Sequence, residues 1–265
     1  LLTVIPKTGP ADAATEKVVA AIRERADTFT DVSVSVTGQT AMLIDVSGKL
    51  GDALLPYLAV IIGLALVLLV LVFRSILVPV KATLGFLLTI GATFGAVVAV
   101  FQWGWLGGLL GVDTPGPIMS MLPIFMIGVV FGLAMDYELF LVTRMREEYV
   151  HGATPDEAVV GGLRQGARVV TAAALIMVSV FAGFIFSGEA MIMSIGFAMA
   201  FGVAVDAFVV RMTIVPAVMS LLGHRAWWIP RWLDRVLPDV DVEGEKLRAL
   251  LDQPVAEPRP LVGAR

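Results

Sequence analysis

Apolar residues fall along this chain in five long runs, at about 54–73, 82–101, 118–142, 169–186 and 191–222. Each approaches or exceeds the roughly 20 residues that carry a helix across the hydrocarbon core of a bilayer. The last is long enough to tilt or to project. Residues 1–50 follow a different rule. Leu1 to Ile5 reads as a strand and Pro6 to Pro10 as a turn. Ala11 to Asp27 reads as a helix, with Val18, Val19 and Ile22 on one side and Lys17, Arg23 and Glu24 on the other. Val32 to Val36 alternates valine with serine, the pattern of a half-buried strand, and Thr37-Gly38 closes it. A strand–helix–strand unit of this size makes no stable core alone. It is expected to be the end of a larger α+β domain. The chain opens Leu1-Leu2-Thr3 with neither an initiator methionine nor a charged leader. Residue 1 is therefore expected to be an internal position of a longer protein.

The connecting segments orient the runs. Arg74 and Lys81 lie between the first and second, and Arg144, Arg146, Arg164 and Arg168 between the third and fourth. Arg225, Arg231 and Arg235 follow the fifth, whereas 102–117 and 187–190 hold no lysine or arginine. Positive loops mark the cytoplasmic side. Residues 1–50 are then expected outside the cytoplasm, and the tail, 224–265, inside. Thr154-Pro155-Asp156-Glu157 is a capping box with proline at the first helical position. It predicts a short cytoplasmic helix over about 155–166, lying along the membrane before the fourth span. Trp227, Trp228 and Trp232 stand among arginines, as interfacial anchors do. Beyond Leu251 the charged, proline-containing composition predicts disorder.

Composition agrees with a multi-pass membrane protein and removes other classes. Hydrophobic residues make up 58% of the chain and charged residues 16%, and the mean hydropathy is +0.88. Soluble domains do not reach such values. A net charge of −4 leaves no basic field for nucleic acid. With no cysteine and two histidines, His151 and His224, neither a disulfide nor a metal centre is expected. No nucleotide-binding motif is present, because Gly107-Gly108 and Gly161-Gly162 lack the strand and the Lys-Ser/Thr of a phosphate loop. No cofactor is expected; protons are the candidate coupling ion.

The charges inside the apolar runs are the candidate chemistry. Asp136 lies eight residues before Arg144, or ~12 Å along a helix rising ~1.5 Å per residue. With Arg144 at the membrane edge, that depth is inside a hydrocarbon half-thickness of about 15 Å. A carboxylate there costs roughly 2.5–3.5 kcal/mol on insertion scales and needs a partner or a function. Gly128, Gly132 and Asp136 are spaced four apart and share one helix face. The glycines suit the close approach of a neighbouring helix. Tyr137 points about 100° away and can serve a carboxylate on a facing helix. The plainer alternative is a packing face with a structural buried acid. Glu138 faces nearly opposite to Asp136 and is expected to pair with arginine or water as a structural charge. Asp206 and Arg211, five residues apart, do not share an α-helical face well. Asp206 is either a second titrating site, a partner for Arg211 or a helix–helix hydrogen-bonding group.

Three stretches carry a resemblance: FGLAMDYELFLVTRMREEY, RQGARVVTAAALIMVSVFAGFIFSG, and IGFAMAFGVAVDAFVVRMTIVPAVMSLLGHRAWWIPRWLDRVLP. FRSILVPVKA, between the first two runs, adds to it. Over about 35–237 the chain resembles the C-terminal half of MMPL transporters, the mycobacterial-membrane-protein-large branch of the resistance–nodulation–division superfamily. The resemblance implies the last part of a porter domain followed by five helices of a twelve-helix bundle in a bacterial cytoplasmic membrane. It implies that Asp136 and Tyr137 are one of two Asp–Tyr pairs forming a proton relay, the other lying in an N-terminal half. It further implies proton-driven export of lipids or other amphiphiles, with membrane lipids, the N-terminal half and a second copy in a homo-oligomer as partners. A drug-efflux pump of the same family, a scaffold like the sterol-sensing relatives and a protein-translocation motor of the superfamily are the alternatives.

Overall fold

The computed structural model describes residues 2–10, 12–29, 33–111 and 115–237. Five helices within it are long and apolar enough to cross a membrane. A short helix, α1 (Ala13–Ala26), precedes them. The crossing helices are α2 (Gln39–Phe73), α3 (Leu77–Gln102), α4 (Leu122–Val150), α5 (Pro155–Ile185) and α6 (Ala190–Trp227). A last short helix, α7 (Arg231–Val236), follows. The expected tail disorder beyond Leu251 lies outside the described residues.

Helix α2 starts well before the first apolar run and crosses the boundary expected at residue 50. Its 35 residues measure ~52 Å at ~1.5 Å each, against a hydrocarbon core of about 30 Å. Its polar first turns therefore project. The projecting part is tied to α1 by the two-pronged ion pair of Arg23 with Asp45, at 2.5 and 2.8 Å. Ser47 and Ser120 share a hydrogen bond of 2.6 Å beside the start of α4.

No strand forms among the described residues. The strands expected at Leu1–Ile5 and Val32–Val36 are backbone without regular structure where they are described. A strand needs a neighbour to receive its backbone hydrogen bonds. Without one, Leu2 and Ile5 remain 95% and 85% exposed.

The capping box at Thr154 forms as its sequence predicts. The threonine hydroxyl accepts from the Glu157 backbone, and the Glu157 carboxylate accepts from the Thr154 backbone at 3.0 Å. The helix it starts does not stop at 166. It runs unbroken to Ile185, so the separate cytoplasmic helix and the fourth span are one element. The reason is in the sequence: Gly161, Gly162 and Gly166 are helix-tolerated here because α4 lies directly against them. A Cβ on Gly162 would stand 2.6 Å from the Met145 backbone nitrogen, and one on Gly166 2.9 Å from Leu141 Cδ1. Glycine at these points lets two helices touch backbone to backbone.

Helices α3, α4 and α6 form the interior, while α2 and α5 turn most of their apolar surface outward. One apolar cluster gathers Phe86, Val97, Met126, Val130 and Met199; another gathers Phe73, Val78, Leu141, Met145 and Met219. Between the two lies a layer of buried charge.

The chain ends of the helices also sort by sign. Ser75 donates to the Ala226 carbonyl at 2.6 Å, Arg74 binds Asp234 at 2.7 Å, and Tyr149 meets His224 Nδ1 at 3.0 Å. The arginine-bearing turns after α2, α4 and α6 therefore meet at one end of the bundle.

Candidate functional site: a buried charge layer beside an open carboxylate

The layer contains two cations and two anions from three helices. Lys81 sits one turn into α3 and is 7% exposed. The same face carries Gly85, Thr89 and Thr93 at four-residue steps, all buried. Glu138 of α4 is 2% exposed and belongs to the buried stripe Val130, Ala134, Leu141 and Met145. Asp206 and Arg211 come from α6 at 4% and 2% exposure.

Their contacts form a chain. Lys81 Nζ stands 2.8 Å from Glu138 Oε1, and Arg211 Nη1 stands 3.2 Å from Glu138 Oε2. Arg211 then donates through Nε to Asp206 Oδ2 at 2.5 Å and through Nη2 to Oδ1 at 3.3 Å. Its Nη2 also donates to the Ala134 carbonyl. The Thr89 hydroxyl is 3.4 Å from Asp206 Oδ1. Donors along more than one edge of the guanidinium plane are thus used, as its five-donor geometry permits. The charges sum to zero. Removing any one would leave an uncompensated ion in a low-dielectric interior, a loss of about 3–5 kcal/mol for buried pairs in general.

Asp206 pairs with Arg211, one of the alternatives open to it, although five-residue spacing does not suit an α-helical face. Residues Val205–Ile214 are π-helical. In that geometry the backbone bonds run from i to i+5, so residues five apart stack as residues four apart do in an α-helix. The Thr213 hydroxyl reports the same widening, donating at 3.0 Å to the carbonyl of Phe208, five residues back. The π segment is packed closely: a Cβ on Gly85 would stand 2.7 Å from Val210 Cγ1.

Asp136 lies beside this layer and outside it. It is exposed on the flank of α4, and among the described residues it makes no hydrogen bond or ion pair. Tyr137 is half-buried, with the Arg211 guanidinium 5.9 Å from its ring centroid. That places it within cation–π range and links Asp136's neighbour to the charge layer. Gly128 meets α2, since a Cβ there would stand 2.6 Å from the Tyr57 hydroxyl. Gly132 has nothing within 4 Å of such an atom. The Gly128–Asp136 face is therefore covered by α2 at one end and open within this chain along the rest.

Two of the four buried charges were undervalued by the sequence pattern. Glu138 does pair with arginine, and it is also held by Lys81, which puts it at the centre of the layer. Lys81 counts in the sequence as a loop charge, yet it points inward. The signal was the stripe Lys81–Gly85–Thr89–Thr93, which puts the lysine on the small-residue face that packs against α6. Among the described residues, no three histidine, cysteine or acidic side chains cluster so as to hold a metal.

Comparison with known proteins places this architecture. The sequence model of the MMPL family matches residues 2–239. Membrane protein YdfJ of Bacillus subtilis is 51% identical over 247 residues, which are 93% of this chain and 34% of that protein. The mycolic acid-containing lipids exporter MmpL11 of Mycolicibacterium smegmatis is 41% identical over 80% of this chain and 22% of its own length. The trehalose monomycolate exporter MmpL3 of the same organism is 36% identical over 88% of this chain and 23% of its own. The chain thus spans between 22% and 34% of the length of these relatives. With five crossing helices, a family match over nearly all the described residues and relatives of this identity, the chain is a multi-pass membrane protein and belongs to the MMPL family.

Proposed function

We propose that this chain is part of a proton-driven exporter of lipids or other amphiphiles, with Asp136 as the proton-carrying carboxylate and Tyr137 as its relay or orienting partner. The observation that carries the reading is the charge pairing among the buried acids. Glu138 is held by Lys81 and Arg211, and Asp206 by Arg211. Protonating either would leave a cation unmatched. Among the described residues Asp136 is the remaining acid within the apolar run of a crossing helix, and it makes no pair that a change of its charge would break. A carboxylate free to change charge, inside a span, is what a proton pathway requires.

The open Gly128–Asp136 face suits a docked helix from an N-terminal half, whose own Asp–Tyr pair would complete the relay. That half is a partner implied by family resemblance. The substrate class rests on the exporters named above, which act on mycolic acid-containing lipids and trehalose monomycolate. Two orientations are compatible with the bundle, and the arginine-rich end is read as cytoplasmic by its charge.

The test is export by the full-length protein carrying Asp136→Asn, with membrane abundance measured in parallel. The substitution keeps shape and a hydrogen-bonding group but cannot titrate. Normal abundance with export abolished is expected. Tyr137→Phe should impair export strongly where the hydroxyl relays or orients. Wild-type export by Asp136→Asn at normal abundance removes the relay and leaves a scaffold role ahead.

A further inference from the structure

The segment after the last span has features that the transport reading does not use. It leaves α6 at Trp227, turns through Trp228 to Pro230, and folds α7 back against the turn between α2 and α3. Three contacts hold it there. The Ile76 amide donates to the Trp228 carbonyl at 3.5 Å. Arg74 binds the Asp234 carboxylate at 2.7 and 3.2 Å, and Arg74 Nη2 also donates to the Asp234 carbonyl at 2.9 Å. The only carboxylate of α7 is therefore paired with a cation of the α2–α3 turn.

What α7 turns outward is apolar and cationic. Trp232 and Val236, four residues apart, share a face and are 68% and 76% exposed. Trp228, just upstream, is 57% exposed. Arg231 and Arg235 share the adjoining face and are exposed. Leu221, at the end of the crossing helix, is 87% exposed. An apolar helix end facing outward in this way marks the edge of the hydrocarbon. The tethered segment therefore lies at headgroup depth, where tryptophan rings with a polar edge are favoured.

We propose that Trp228, Arg231, Trp232, Arg235 and Val236 form a binding surface for anionic phospholipid headgroups at this end of the bundle. The rings and Val236 insert beside acyl chains, and the two guanidiniums bind phosphate, which their planar fork can engage through paired N–H donors. Asp234 stays half exposed, but its charge is matched by Arg74, so α7 carries no unpaired acid to oppose an anionic lipid. Arginine at an anionic surface gains about fivefold in affinity per residue. The tether makes the surface a fixed part of the bundle and not a loose tail.

The experiment places a photoreactive p-benzoylphenylalanine in place of Val236 in the full-length protein. The protein is reconstituted in vesicles of equal parts phosphatidylcholine and phosphatidylglycerol, and the lipid adducts are identified by mass spectrometry. The same probe in place of Leu221 reports bulk lipid and proves that the chemistry works. At position 236 the odds of a phosphatidylglycerol over a phosphatidylcholine adduct should clearly exceed those at 221. Arg231→Gln with Arg235→Gln should lower those odds by about 25-fold or to the bulk value, whichever is reached first. Equal odds at 236 and 221 in the wild type would overturn the proposal. So would protein adducts at 236, which indicate a protein partner, or no adduct there while 221 reacts, which indicates water.

Discussion

Asp206 and Arg211 stand five residues apart and meet at 2.5 Å, because the backbone between them is π-helical. The contact depends on the wider turn, and the side-chain order along α6 is matched to it.

Exchanging the order tests this. In Val210→Arg with Arg211→Val the arginine is four residues from Asp206, a spacing suited to an α-helix. Position 210, however, faces Gly85, where a Cβ and Val210 Cγ1 would already be only 2.7 Å apart. The double variant is expected to lose about 3–5 kcal/mol, the range for a broken buried pair. Thermal melting of detergent-extracted protein measures it. Stability equal to wild type would mean that α6 readily re-forms as an α-helix and that the π segment has no hold on the pair.

Lys81 and Glu138 should behave as a unit. Lys81→Met leaves Glu138 to compete with Asp206 for one guanidinium, and Glu138→Gln leaves Lys81 buried without its counter-ion. Each single variant should reduce membrane abundance. Lys81→Met with Glu138→Gln keeps the neutral pair of Arg211 and Asp206, so it should recover part of the loss. A double-mutant cycle on melting is expected to show coupling of about 1–3 kcal/mol. Simple additivity would show that the 2.8 Å contact contributes nothing specific.

Overpacking distinguishes the glycines. A Cβ on Gly196 would stand 2.7 Å from Phe184 Cβ and 2.8 Å from the Phe181 carbonyl oxygen, so Gly196→Leu must push α6 away from α5. A loss of about 1–3 kcal/mol or more follows from forced core insertion. Gly132 and Gly63 have open space in this chain. Gly132→Leu should therefore weaken the full-length protein beyond Gly63→Leu only through a helix docked on the Gly128–Asp136 face. Expression and melting of the three variants separate the cases. Gly196→Leu behaving like Gly63→Leu would contradict the close α5–α6 contact.

The five crossing helices were legible because length and unbroken apolarity suffice to specify a span. Thr154 and Glu157 were legible because a cap is a local interaction. The strands around Val4 and Val34 were not realised among the described residues, since alternation prepares a strand but a neighbouring strand must complete it. The Asp206–Arg211 pair was one of three alternatives in the sequence. It could not be singled out, because at 3.6 residues per turn the two do not share a face and a π segment leaves no clear mark in side-chain pattern. Lys81 is a different case: its position between two apolar runs reads as a loop charge, while its four-residue steps to Gly85, Thr89 and Thr93 indicate an inward face.

The zero sum of the Lys81–Glu138–Arg211–Asp206 layer has an electrical consequence. A voltage across the membrane does work on net charge, about 2.3 kcal/mol per elementary charge per 100 mV. On a neutral quartet moving together, that work cancels, and four ions can remain within the field without being driven by it. Gain or loss of a proton at Asp136 has no such compensation within this chain. Of the acids this chain contributes to the proposed transporter, the membrane voltage would therefore act on Asp136, while the charges that brace α3, α4 and α6 stay electrically silent.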